Sequence, residues 1–120
     1  MKVLKTIMGL LLLVSISACR RTIERAEPLK YLNITSDHHT NLLGQTVIEG
    51  SISNTATSTT YKDVDVQISY ISETDAVIGT EDQIFYVYVP PRKPFAFKIK
   101  TDAPAQTATV KLKIVTAKTE

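Results

Sequence analysis

Tyr61-Lys62-Asp63-Val64-Asp65-Val66-Gln67-Ile68-Ser69-Tyr70-Ile71-Ser72 is the stretch whose reading decides the fold. Val64, Val66, Ile68 and Tyr70 alternate strictly with Asp63, Asp65, Gln67 and Ser69. A period of two sends successive side chains to opposite faces of a strand, whereas a helix needs apolar residues three and four apart. The segment therefore predicts a half-buried β-strand, with its aliphatic face on a core and its acidic and amide face in water.

The same period extends in both directions. On the C-terminal side, Ser72 to Asp75 supplies turn residues and Val77-Ile78 starts a short return strand. On the N-terminal side, Gln45 to Ser53 reads as a strand in which Ile48 and Ile52 share a face with Gly50 between them. Leu29 to Thr35 reads as the first strand, and the polar run Ser36 to Asn41 as the connection between the two. Gln83 to Val89 is apolar on both faces, because Phe85, Val87 and Val89 alternate with Ile84, Tyr86 and Tyr88. Pro90, Pro91 and Pro94 stop it, since a residue without an N–H cannot continue a central ladder. Phe95, Phe97 and Ile99 form the next alternation, and Val110, Leu112 and Ile114 the last, after an Asp102 to Gln106 turn.

About seven short strands, with no amphipathic helix among them, predict an all-β fold. The expected architecture is an immunoglobulin-like or fibronectin-like β-sandwich of antiparallel strands over residues 29–120. That span is enough for one core and too short for two domains. With one cysteine and no tryptophan in the chain, such a sandwich lacks the paired cysteines and core tryptophan of antibody domains and packs on aliphatic side chains and Phe.

The N-terminus follows different rules. Lys2 and Lys5 precede an apolar centre from Ile7 to Ile16, and the small residues Ser17 and Ala18 lead to Cys19. These are the three zones of a secretory signal peptide, expected at residues 1–18 with cleavage between Ala18 and Cys19. The apolar stretch is about half the ~20 residues that a membrane-crossing helix needs, and it runs into Arg20-Arg21. Ile16-Ser17-Ala18-Cys19 resembles the lipobox of bacterial lipoproteins, in which an aliphatic residue, a small polar or apolar residue and a second small residue precede the cysteine. The resemblance implies that Cys19 becomes the first residue and carries a diacylglycerol on sulfur, usually with a further acyl chain on its new amino group. Several chains together give stable membrane anchoring where one does not.

Residues 19–28 then read as a lipidated, flexible tether ending at Pro28. Lys2 and Lys5 belong to the leader, so the net charge of +2 for the whole chain falls to zero from Cys19 onward. With acids and bases interspersed, no basic patch favours nucleic acid. In two-membrane bacteria an Asp after the lipidated cysteine resembles an inner-membrane retention signal. Arg20 stands there instead, which implies the outer membrane, facing the periplasm.

A second resemblance rests on Gly50-Ser51-Ile52-Ser53-Asn54, the Tyr61 to Ser72 strand, Val77-Ile78-Gly79, Val89-Pro90 and Phe95-Ala96-Phe97. Together they look like the FxLYD-type sandwich domains of bacterial lipoproteins. That family implies an extracytoplasmic module and no agreed activity.

Residues that bear chemistry are few. Asp37-His38-His39 is the only grouping with metal-ligand chemistry, and adjacent histidines between strands point apart, with no Cys or third His following them. Those histidines are also the only bases available to a nucleophilic Ser or Thr. Four separated glycines form no phosphate loop. Asp63 with Asp65 belongs on a wet strand face, and Glu81-Asp82 in a turn. Asn33-Ile34-Thr35 matches a glycosylation sequon, which reads as coincidence if the chain is a bacterial lipoprotein, and Ser53 to Thr60 reads as a surface loop. Tyr86 and Tyr88 combine a large ring with a polar tip, the chemistry enriched at protein interfaces, and become a contact patch if exposed. The expectation is a noncatalytic envelope module with no cofactor and no metal. Its partners are the membrane, through the N-terminal lipid, and an envelope protein or cell-wall component. The alternative is a small-ligand or metal-binding lipoprotein using Asp37, His38 and His39.

Overall fold

The computed structural model describes residues 24–120, so the leader, Ala18 and Cys19 lie outside the described residues. A single helical turn, α1 (Pro28–Tyr31), leads into six strands: β1 (Leu32–Thr40), β2 (Thr46–Asn54), β3 (Tyr61–Ser72), β4 (Val77–Val89), β5 (Phe95–Thr101) and β6 (Thr107–Thr119). They form two antiparallel three-stranded sheets, in the orders β1-β2-β5 and β4-β3-β6. The fold is an all-β sandwich, with six strands where the sequence suggests about seven. The difference lies in β4, where Val77-Ile78 and Gln83–Val89 join into one strand. Glu81 and Asp82, expected in a turn, pair with Ile68 and Gln67 of β3.

Two further boundaries move for physical reasons. Leu29 to Tyr31 are helical rather than extended: Pro28 suits a first turn because its missing N–H has no intrahelical partner there, and the Lys30 and Tyr31 N–H groups both donate to the Glu27 carbonyl at 3.1 Å. Ser36 to Thr40, read as a connection, continue β1 with unbroken pairing out to Thr40 and Thr46. Every residue from Thr35 to Thr40 is exposed, so that half of β1 has no apolar face to reveal it.

β3 is the centre of its sheet and runs over the expected residues. Val64, Val66, Ile68 and Tyr70 are all essentially inaccessible to solvent. Tyr61 is buried with them, although strict alternation assigns it to the opposite face. A bulge resets the parity: the register shifts between Lys62 and Val64, and Asp63 takes a left-handed φ of 48°. The facing sheet contributes Ile48, Ile52 and Phe97, and Val89 and Val110 complete the cluster. Gly50 lies between the two isoleucines because nothing larger fits. A Cβ there would meet the Thr35 carbonyl and come within 2.7 Å of the Phe97 ring, which lies across it from the paired position on β5.

This cluster holds the sheets together. Full burial of one Val or Ile contributes about 1.5–3 kcal/mol, whereas an exposed ion pair contributes about 0–1 kcal/mol. The pairs Lys98–Glu49 (3.3 Å) and Lys30–Glu27 (3.7 Å) are of the exposed kind, each side chain being about half accessible or more.

Candidate functional site

β4 is an edge strand, paired among the described residues with β3 alone. Its alternation divides the apolar run cleanly. Phe85, Val87 and Val89 turn inward onto the core, with the Phe85 ring 4.9 Å from Phe97 and 5.6 Å from Phe95, centroid to centroid. Ile84, Tyr86 and Tyr88 turn outward and are 39%, 76% and 61% exposed. Tyr86 and Tyr88 are therefore both on the surface. Tyr88 lies opposite Lys62, and Ile84 opposite Asp65, on the same face.

β4 carries more of the exposed apolar surface than any other element. Val77, Ile78, Ile84, Tyr86 and Tyr88 are five of the nine large hydrophobic residues exposed among the described residues. Sequence alone does not settle this, because both faces of the run are apolar and only the position of the strand in its sheet tells which is covered. Within the patch, the Asp65 Oδ1 is buried without a hydrogen-bond partner.

The Asp37-His38-His39 grouping falls on strand β1 instead of in a loop, opposite Glu49, Ile48 and Val47. On a strand the two imidazoles project to opposite faces. No group of three His, Cys, Asp or Glu side chains suited to a metal ion occurs among the described residues. Neither Ala18 nor Cys19 can be placed here, since both lie outside those residues.

Three features escaped the sequence reading. The first is Asn54, buried at the end of β2. Its Nδ2 donates to the carbonyls of Thr59 (2.8 Å) and Val89 (2.9 Å), and its Oδ1 accepts from the Ala56 N–H (2.9 Å). The Arg92 N–H donates to its main-chain carbonyl at 3.0 Å. One amide thus ties the β2–β3 and β4–β5 loops together. The sequence held a signal: Ile48, Gly50, Ile52 and Asn54 share parity, so a polar residue stood in line with the core.

The second is Glu24. Its Oε2 accepts from the Thr57 N–H (2.7 Å) and hydroxyl (2.8 Å). Its Oε1 accepts from the N–H and hydroxyl of Ser58 (3.1 and 3.3 Å) and of Thr59 (2.9 and 2.7 Å). Hydrogen bonds to the charged form, led by those from the Thr57 N–H and the Thr59 hydroxyl, hold this carboxyl far below its ordinary range. The Glu27 N–H also donates to the Tyr61 hydroxyl at 2.9 Å, and burial is the main cause that raises that phenol above its usual value. Residues 24–28, read as part of a tether, are thus fastened to the loop that opens β3. No local pattern announces a contact across more than thirty residues.

The third is the β1–β2 turn. Leu42 and Leu43 are fully or almost fully exposed on a turn braced by Asn41, whose Oδ1 accepts from the Leu43 N–H (3.0 Å) and the Gln45 N–H (2.9 Å). Gly44 takes the left-handed φ of 79° that closes it.

No family model matches the chain, and no curated protein or solved structure matches it.

Proposed function

We propose that this chain is a lipid-anchored lipoprotein of the bacterial envelope, most simply of the outer membrane facing the periplasm, and that its sandwich is a noncatalytic interaction module. The anchoring half of the reading rests on the leader and on Ile16-Ser17-Ala18-Cys19. The interaction half rests on one observation: Ile84, Tyr86 and Tyr88 stand exposed in a row on an edge strand. An apolar row of this kind costs solubility, and such patches mark contact sites. Tyrosine rings with wet hydroxyls suit a surface that is free at one time and covered at another.

Two measurements test the two halves separately. Labelled fatty acid is fed to cells making the full chain or its Cys19→Ala variant; label in the first and none in the second is expected, and equal labelling defeats the anchor. A photoreactive benzophenone side chain is then placed at position 86, 88 or 98 of the full chain in its own envelope. Adducts from positions 86 and 88, with none from 98 on the other sheet, are expected. Equal yields from all three positions would remove the β4 face as the contact site.

A further inference from the structure

Sheet edges are templates for strand addition, and proteins blunt them with charge, proline or cover. All four edges here carry charged or ionisable side chains. β1 has Asp37, His38 and His39, β5 has Lys98 and Lys100, and β6 has Lys111, Lys113 and Lys118. β4 differs in where its charge lies. Ile84-Phe85-Tyr86-Tyr88 and the valines at 87 and 89 form an uncharged run without proline or glycine, and its residues are among the strongest strand formers. Within β4 charge is confined to Glu81 and Asp82 in the middle of the strand, just before this run, while Arg92 and Lys93 lie just beyond its other end, and all four are exposed.

We propose that the free edge of β4 pairs with the same edge of a second copy of this chain, antiparallel about a two-fold axis at Tyr86. The inference rests on the reading of this face as a contact site and names its partner. A residue on the axis keeps outward side chains opposite outward ones, so Ile84 lies across from the second copy's Tyr88, and Tyr86 across from its own counterpart. Phe85 lies across from the second copy's Val87 on the inner side. The exposed Ile84, Tyr86 and Tyr88 of both copies then form one apolar strip, with directly opposed Cβ atoms about 5 Å apart.

The flanks of the uncharged run agree with this register. Asp82 and Glu81 come opposite the second copy's Pro90 and Pro91, beside its Arg92 and Lys93, so unlike charges meet at both ends. The prolines, having no N–H, close the ladder there. An isologous contact of this kind satisfies both β4 edges at once and closes on itself as a pair. Antiparallel pairing with like faces together sets the two-fold axis perpendicular to the joined sheet. A pair anchored equally in one bilayer holds that axis along the membrane normal and lies with its strands along the membrane.

The test uses the full chain in its own envelope, with the benzophenone side chain at position 88. The expected product has twice the mass of the chain, and its cross-link maps to residues 83–85 of the second copy. Tyr86→Lys, which sets two like charges face to face on the axis, is expected to lower the yield at least tenfold, and Tyr86→Phe to preserve it. Tyr86 is largely exposed, so an unchanged urea midpoint confirms that the lysine variant remains folded. Adducts to a different polypeptide with none at twice the chain mass would overturn the pairing and leave the contact face standing. No adduct from either tyrosine position would overturn both, and a dimer yield indifferent to Tyr86→Lys would overturn the β4 geometry.

Discussion

Replacing Asn54 by alanine removes three hydrogen bonds at once. The Ala56 N–H and the Val89 and Thr59 carbonyls each lose a partner. Thr59 is partly exposed and can turn to water, but Ala56 and Val89 are 1% and 0% exposed and cannot. A buried polar group left without a partner costs about 1–3 kcal/mol, so two of them, with the lost packing of the amide, should cost about 3–4 kcal/mol. That is a large part of the ~5–15 kcal/mol that holds a typical domain together, and it corresponds to a fall in melting temperature of roughly 15 °C or more for a domain of this size. The chain has no tryptophan, so urea unfolding is followed by far-ultraviolet circular dichroism. Asn54→Asp is the informative companion. It keeps an oxygen to accept from Ala56 but turns a second oxygen toward two carbonyls, so at neutral pH it should lose at least as much stability as alanine. Those surroundings raise the folded-state pKa of the new carboxyl, which favours its protonated form on folding, so stability should recover as pH falls. A loss below about 1 kcal/mol for alanine, with an unchanged urea slope, would refute the assignment of Asn54 as the tie between the two loops.

Gly50→Ala should cost about 1–3 kcal/mol by overpacking, because its Cβ meets the Thr35 carbonyl and the Phe97 ring at once; a urea midpoint equal to that of the parent would show that the two sheets give way there. Asp63→Val puts a β-branched residue at a φ of 48° and should lose about 1–3 kcal/mol, whereas Asp63→Gly should leave the midpoint nearly unchanged. Glu24 has a depressed folded-state pKa, so its contribution is complete above the ordinary glutamate value of 4.5 and fades as pH falls below it toward the folded value. The difference in urea midpoint between the parent and Glu24→Ala should therefore be largest near neutrality and smaller at about pH 3, and a difference that grew on acidification would contradict the carboxylate contact.

What the sequence revealed depended on whether a strand had one wet face. β3 has water on one side and core on the other, and its bounds could be read to the last position. The first half of β4 and the outer half of β1 lie at sheet edges, where exposure on both faces erases the alternation; β4 therefore reads as two segments and the end of β1 as a loop. Tyr61 was hidden by a single left-handed residue that shifts parity. Tyr86 and Tyr88 were recognisable by type, but their exposure depends on what lies beside β4, which no local pattern encodes. Asn54 was legible in principle as a polar residue on the apolar register, while the Glu24 contact with Thr57, Ser58 and Thr59 joins segments too distant for any periodicity to link.

The interleaving of the strands bears on how the domain comes into being. β2 and β3, the middle strands of their sheets, each receive one neighbour from the adjoining hairpin and the other from residues 95–119. A chain growing from its N-terminus can close the β1–β2 and β3–β4 hairpins early, yet neither sheet is whole until residues 95–119 appear. Isolated hairpins are marginal in water, and pairing between distant segments is slow. The domain therefore has no stable halfway form and stays pliable until residues 95–119 have been made, the state in which a chain threads most easily through a narrow pore.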